Sequence, residues 1–179
     1  ILTLPISYSF GLSVLNTHLY AQATIILNTH SITESFFWNL VKQTKPNNFS
    51  FVPFQLEIIK KFKLYKLFNY KILYFAQAGG KMDNDNLNFF LNYSKEKKIK
   101  FYIMYGQTEA SPRMSYLDPK YSNKKFGSIG KPIPGGKFYL IDEKGNKIIK
   151  SNVVGELIYK GKNVCLGISK TYKDLTNKQ

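Results

Sequence analysis

Arginine is almost missing from this 179-residue chain: of its 26 basic residues only Arg113 carries a guanidinium, and the rest are lysines. Cysteine is as scarce. The single Cys165 excludes an internal disulfide and suits a reducing compartment such as the cytoplasm. It sits in the apolar run Asn163-Val164-Cys165-Leu166-Gly167, which predicts a buried structural thiol. The two histidines, His18 and His30, lack the spacing of a zinc site. Acidic residues number 11, which leaves a formal charge of +15. A balance this basic raises nucleic acid or an anionic membrane as partners. The lysines are scattered, however, with short clusters at Lys60-Lys61 and between Lys95 and Lys98 rather than one long basic block. The accompanying wealth of Asn, Ile, Phe and Tyr is what adenine- and thymine-rich codons produce. The reading is a solvated basic surface with no specific nucleic-acid partner.

Charge is also missing locally. Residues 1–33 contain no Asp, Glu, Lys or Arg, yet Pro5, Asn16, His18, Gln22 and Asn28 interrupt the apolar residues. A bilayer span needs a longer apolar run and a signal peptide needs a basic start, so no transmembrane segment is expected. The chain opens on Ile1, inside what reads as a strand, and is therefore expected to be a piece of a longer protein.

What is there alternates between strand and helix. Ile1–Ile6 reads as a strand, Gly11–Ala21 as a helix and Thr24–Leu27 as a strand. Ser31-Ile32-Thr33-Glu34 has the form of a capping box for a helix bearing Phe36, Phe37, Leu40 and Val41. Phe49–Val52 and Ile72–Phe75 read as strands, and Pro53 opens a short helix between them. Asp83 or Asn84 can cap a helix with Leu87, Phe90 and Leu91 on one face, and Lys100–Met104 is the strand that follows. After Lys125, glycines and prolines punctuate short apolar runs, with strands expected at 138–141 and 155–159 around a turn at 142–146. The fold class expected is α/β: a parallel sheet flanked by helices over residues 1–125, followed by a small β-rich subdomain over 126–179.

The chemistry concentrates in Tyr105-Gly106-Gln107-Thr108-Glu109, directly after the Lys100–Met104 strand. Gly106 lets the chain turn where the strand ends. The carboxyl end of such a strand is where ligands bind in open α/β sheets. Tyr105 offers a face for a base, Thr108 a donor for a phosphate oxygen, and Glu109 a hard oxygen ligand for Mg²⁺. A polar loop after a core strand would have the same composition. Gly80-Lys81 is not a Walker phosphate loop, because Phe75 stands where the first Gly belongs and Met82 replaces the Ser or Thr. Arg113 lies four residues past Glu109, and its planar fork suits phosphate or carboxylate better than any lysine.

Four stretches in order carry a resemblance: Leu4-Pro5-Ile6-Ser7-Tyr8-Ser9-Phe10-Gly11-Leu12, Gln77-Ala78-Gly79-Gly80-Lys81-Met82, the Tyr105–Ser111 stretch, and Gly155-Glu156-Leu157 with Gly161, Val164 and Gly167. Their sequence resembles the adenylate-forming, or AMP-binding, superfamily through nearly the whole chain. The resemblance implies a section of the large N-terminal domain of an ATP-dependent ligase. Such an enzyme activates a carboxylic acid as its acyl-adenylate and then passes it to a thiol such as CoA. It further implies that Ala78, Gly79 and Gly80 lie along the adenine and that Tyr105 stacks on it, with Gly106 and Thr108 completing the nucleotide site. Thr108 would hold the α-phosphate, and Glu109 would ligate Mg²⁺. The cofactors implied are ATP and Mg²⁺, with CoA as a possible acceptor.

The family's own phosphate loop would precede Ile1, and its ribose-binding Asp and catalytic Lys would follow Gln179. Departures from the family pattern also stand out. Tyr8 replaces a His frequent at the edge of the acyl pocket, Gln22 replaces a common Gly, and Ile168 replaces a common Tyr. Asn16 and His18 on the following helix either face that pocket or pack in the core. Two rival readings remain: an adenylation domain that loads a carrier protein or an amine, and a basic binding module without catalysis.

Overall fold

The computed structural model describes residues 1–167, 169–171 and 173–174. Ile168, whose substitution for Tyr is noted above, lies outside the described residues.

Three short strands form the parallel heart of the molecule: β1 (Asn48–Phe51), β2 (Tyr74–Gln77) and β3 (Lys100–Tyr105). They lie side by side in that order, with Asn48 opposite Tyr74 and Tyr74 opposite Lys100. Two antiparallel strands, β4 (Ser115–Leu117) and β5 (Lys131–Pro132), extend the sheet beyond β3. The two-residue side-chain period sorts the strands' residues onto two unlike faces. Phe49, Phe51, Phe75, Phe101 and Ile103 form one face and are almost wholly buried. Helices α2 (Ser35–Thr44), α3 (Pro53–Lys61) and α4 (Asn84–Glu96) cover it through Phe37, Val41, Leu56, Ile59, Leu87 and Phe90. The other face carries smaller or polar-tipped residues, among them Ser50, Tyr74, Ala76, Tyr102 and Met104. Helix α1 (Ser9–Tyr20) lies there, with Phe10 and Val14 packed among Leu2, Leu4 and Ala78.

A second sheet of β6 (Lys137–Ile141), β7 (Lys147–Ile148) and β8 (Glu156–Lys160) is wholly antiparallel, in the order β7-β6-β8. β5 hydrogen-bonds into the first sheet, so the change from one sheet to the other falls in the turn between Pro132 and Lys137.

Several expectations need correction. Ile1–Ile6 and Thr24–Leu27 are not strands. They share one backbone bond, from Leu2 N–H to the Ile26 carbonyl at 3.0 Å. Pro5 has no N–H to offer a ladder, and Thr3 donates its hydroxyl to the Ser50 carbonyl instead. The capping-box residues form a turn before α2 rather than its first turn. Glu34 accepts the Ser31 N–H at 2.6 Å, but the helix starts only at Ser35. The second strand lies two residues later than the apolar run, at Tyr74–Gln77. Gln77 is fully buried because its amide donates to the Gly80 carbonyl at 2.9 Å, a satisfied polar group that an apolar pattern cannot anticipate. Cys165 is exposed, not buried. Its flanking apolar run is itself uncovered, with Val164 and Leu166 open to solvent. Among the described residues, no helix is long and apolar enough to cross a membrane.

Candidate active site

The carboxyl ends of β2 and β3 open into a cavity of about 670 Å³, within the range of small-molecule sites. Ala78, Gly79 and Gly80, leaving β2, form one wall; Tyr105, Gly106 and Thr108, leaving β3, form another. Tyr8 and Phe10, at the start of α1, close a third side, and Gly127, Ser128 and Ile129 a fourth. The two predicted nucleotide-binding segments, more than twenty residues apart in sequence, thus meet in one space because β2 and β3 are parallel neighbours.

The glycines are required by what surrounds them. Gly79 adopts φ +82°, a left-handed conformation that L side chains rarely take, and an added Cβ would press on the Tyr8 hydroxyl. At Gly106 a Cβ would overlap the Pro112 carbonyl oxygen, because the chain doubles back there to enter β4. The Met114 N–H donates to the Tyr105 carbonyl at 2.9 Å and closes that loop.

Thr108 opens a 3-10 turn, Thr108–Ala110, and its hydroxyl lies 3.0 Å from that of Ser9 on α1. Two hydroxyls at this distance share one proton and leave the other free for a ligand oxygen. Ser9 sits in the first of the four stretches, but nothing in its local pattern marks it as a partner of a residue 99 positions away. Tyr105 is half-buried. Its hydroxyl accepts from the Gln107 amide at 3.2 Å, and its ring leans on Phe138 of β6 with 6.4 Å between centroids. Glu109 is exposed and is not among the residues that line the cavity, although it adjoins Thr108, which does. Its backbone carbonyl accepts the Cys165 N–H at 2.7 Å.

The loop between Thr108 and Arg113 is tied down from the second sheet. The Asn163 amide donates to the Ala110 carbonyl and, at 3.0 Å, to that of Arg113, while its oxygen accepts the Tyr159 hydroxyl at 2.9 Å. Ser111 donates its hydroxyl to the Asn163 carbonyl at 3.1 Å. Asn163 is therefore a positioning residue that sequence reasoning passed over as part of an apolar run.

Arg113 lines the cavity and is half-buried. Its Nε–H donates to Ser13 Oγ at 3.3 Å and its Nη2 to Thr17 Oγ1 at 3.4 Å, both on α1. Burial lowers the guanidinium's pKa from its ordinary value, and the nearby Tyr74 opposes that shift. His18 and Asn16 do not line the cavity. His18 Nδ1 lies 2.7 Å from the Val14 carbonyl, and Nε2 lies 3.1 Å from Asn48 Oδ1, at the opposite end of the sheet.

The donor set near the cavity fits a magnesium ion only as a partial shell. Among the described residues no group of three His, Cys, Asp or Glu is gathered to hold a metal. Glu109 offers one carboxylate, which suits an ion bound by one or two carboxylates together with substrate phosphates.

A family model described as AMP-binding enzyme matches residues 1–169. The 2-succinylbenzoate–CoA ligase of Geobacillus kaustophilus is 38% identical over 77 residues, or 43% of this chain and 15% of that protein. The indoleacetate–CoA ligase of Aromatoleum aromaticum is 24% identical over 90% of this chain and 31% of its own length. Among solved structures, o-succinylbenzoate coenzyme A synthetase from Bacillus subtilis, in complex with ATP and magnesium ion, superposes with a TM-score of 0.74. It is 24% identical, over 92% of this chain and 33% of that one. A long-chain-fatty-acid-CoA ligase from Archaeoglobus fulgidus superposes with a TM-score of 0.79 at 18% identity, over 96% of this chain and 36% of its own. The chain thus spans about a third or less of the length of each of these relatives.

Proposed function

Because this chain belongs to the AMP-binding enzyme family, we propose that it builds one wall of the active site of an ATP-dependent acid–thiol ligase. The reaction joins a carboxylate to ATP as an acyl-adenylate, releases pyrophosphate, and then transfers the acyl group to the thiol of CoA. The observation that carries this reading is the single cavity where the 78–80 turn and the Tyr105–Thr108 turn face one another. The first turn, almost without side chains, leaves room for a flat base. Tyr105, braced by Phe138, supplies the ring against which the base stacks. Thr108, oriented by Ser9, donates to an α-phosphate oxygen. Lys81 and Arg113 line the cavity without an Asp or Glu among them, so its charge favours anions. Glu109 would hold Mg²⁺ beside the phosphates, where the ion offsets their charge.

CoA as acceptor, rather than a carrier protein, follows the named activities of the relatives. An ATP- and thiol-dependent reaction on a chain whose one cysteine is a free thiol suits the cytoplasm. No specific nucleic-acid partner is assigned, since the lysines that make the chain basic are dispersed.

The test is carboxylate-dependent pyrophosphate exchange by the full-length protein, with and without Glu109→Gln. The substitution keeps shape and removes the charge that holds the metal. Exchange should fall on the order of a hundredfold or more, while the melting temperature stays within a degree or two and AMP binding changes little. Near-normal exchange in the variant would remove Glu109 from the catalytic set. Wild-type protein that binds AMP but never exchanges pyrophosphate would favour a binding module without catalysis.

A further inference from the structure

Arg113 is the chain's one arginine, it lines the cavity, and its partners are an uneven match for a guanidinium. Among the described residues no ion pair involves it. Ser13 already donates its hydroxyl to the Phe10 carbonyl at 2.9 Å, and Thr17 donates to the Ser13 carbonyl at 2.8 Å. Both hydroxyl protons are thereby committed to α1, and both oxygens turn lone pairs to the guanidinium. The pair therefore orients Arg113 without neutralising it. A guanidinium has five N–H donors in a fixed fork. Ser13 and Thr17 take one each, and the other three have no partner among the described residues. A half-buried, oriented and uncompensated guanidinium is costly unless an anion completes it. Phosphate recognition is assigned elsewhere, to Thr108 with its partner Ser9.

Resting on the ligase reading above, we propose that the acid activated here carries a second carboxylate, and that Arg113 binds it through its free N–H pair. The substrate class is then a dicarboxylic acid, with one carboxylate delivered to the α-phosphate and the other held against α1. Ser13 and Thr17 act as positioning residues that set the plane of the fork. A lysine would keep the charge but lose the paired geometry.

The test is equilibrium binding to the full-length protein of matched acids that differ only in the second carboxylate. Adipate against hexanoate is one pair; 2-succinylbenzoate against 4-oxo-4-phenylbutanoate is another. AMP binding is measured in the same preparation, because its failure would overturn the ligase reading and this proposal with it. With AMP bound normally, at least one diacid should bind tenfold to a hundredfold more tightly than its monoacid partner, the span expected for a charged hydrogen-bond pair. Arg113→Met should bring that ratio close to one, and Arg113→Lys should restore part of it. Should Arg113→Met fail to fold, the Lys variant and Ser13→Ala, each compared by melting temperature, still read the ratio. AMP binding with no diacid preference in the wild type, or a preference that survives Arg113→Met, would overturn this proposal and leave the ligase reading standing.

Discussion

At the scale of single residues, the site depends as much on missing side chains as on those present. Gly106 shows this most sharply. It occupies the point where β3 ends and the chain doubles back, and the space a Cβ would need is filled by the Pro112 carbonyl oxygen. Backbone cannot move aside as a flexible side chain can. Gly106→Ala should therefore destabilise the fold by about 1–3 kcal/mol or more, as overpacking does. It should also weaken AMP binding, because the displaced Pro112 and Arg113 line the same cavity. Thermal melting and AMP titration of the same variant check both halves. A variant with normal melting and normal affinity would mean that the loop adapts without cost. The proposed roles of Gly79, Gly106 and Thr108 were legible in the sequence because each belongs to a short local pattern. Ser9, Asn163 and the orientation of Arg113 were not, because each depends on a partner many positions away. Burial was misread at Cys165, since apolar neighbours in sequence do not ensure neighbours in space.

At the scale of elements, the strands and helices that frame the cavity were mostly visible, and their failures have a common cause. Residues 1–6 and 24–27 have strand-like composition, yet the sheet gives them no ladder, so they run as irregular cover beside α1. Helix α4 was read correctly from its start signal. Asp83 accepts the Asn86 N–H at 2.8 Å, satisfying a donor that the first helical turn leaves without a partner. That bond, first among several, lowers the Asp83 pKa below the ordinary carboxylate value. A carboxylate depressed in the folded state adds stability above its unfolded pKa and loses it as pH falls through the folded value. Asp83→Ala should therefore lower the melting temperature at neutral pH, and the gap from wild type should close on acidification below about pH 4, the unfolded carboxylate range. Melting curves between neutral and acid pH measure it. A gap that stays constant with pH would show that the cap acts without its charge. Because Met82 and Leu87 on either side of this cap line the cavity, the cap also bears on the shape of the site.

At the scale of the whole molecule, two chemically different sheet faces explain why the site lies where it does. The phenylalanine face, under α2, α3 and α4, is the main packed core, and only its end at Ile103, Met82 and Leu87 reaches the cavity. The face toward α1 carries smaller and polar groups. At its carboxyl end the chain opens between α1, the two strand-end turns and the loop that the second sheet holds through Asn163. If this opening takes an adenylate, hydrogen–deuterium exchange of the full-length protein, with and without saturating AMP, will register it at the two strand-end turns. Amides at 77–80 and 105–109 should gain protection together on AMP addition, while those of α2, on the opposite face of the sheet, stay unchanged. AMP binding that leaves both turns unprotected, or that protects α2 instead, would mean that the nucleotide sits elsewhere.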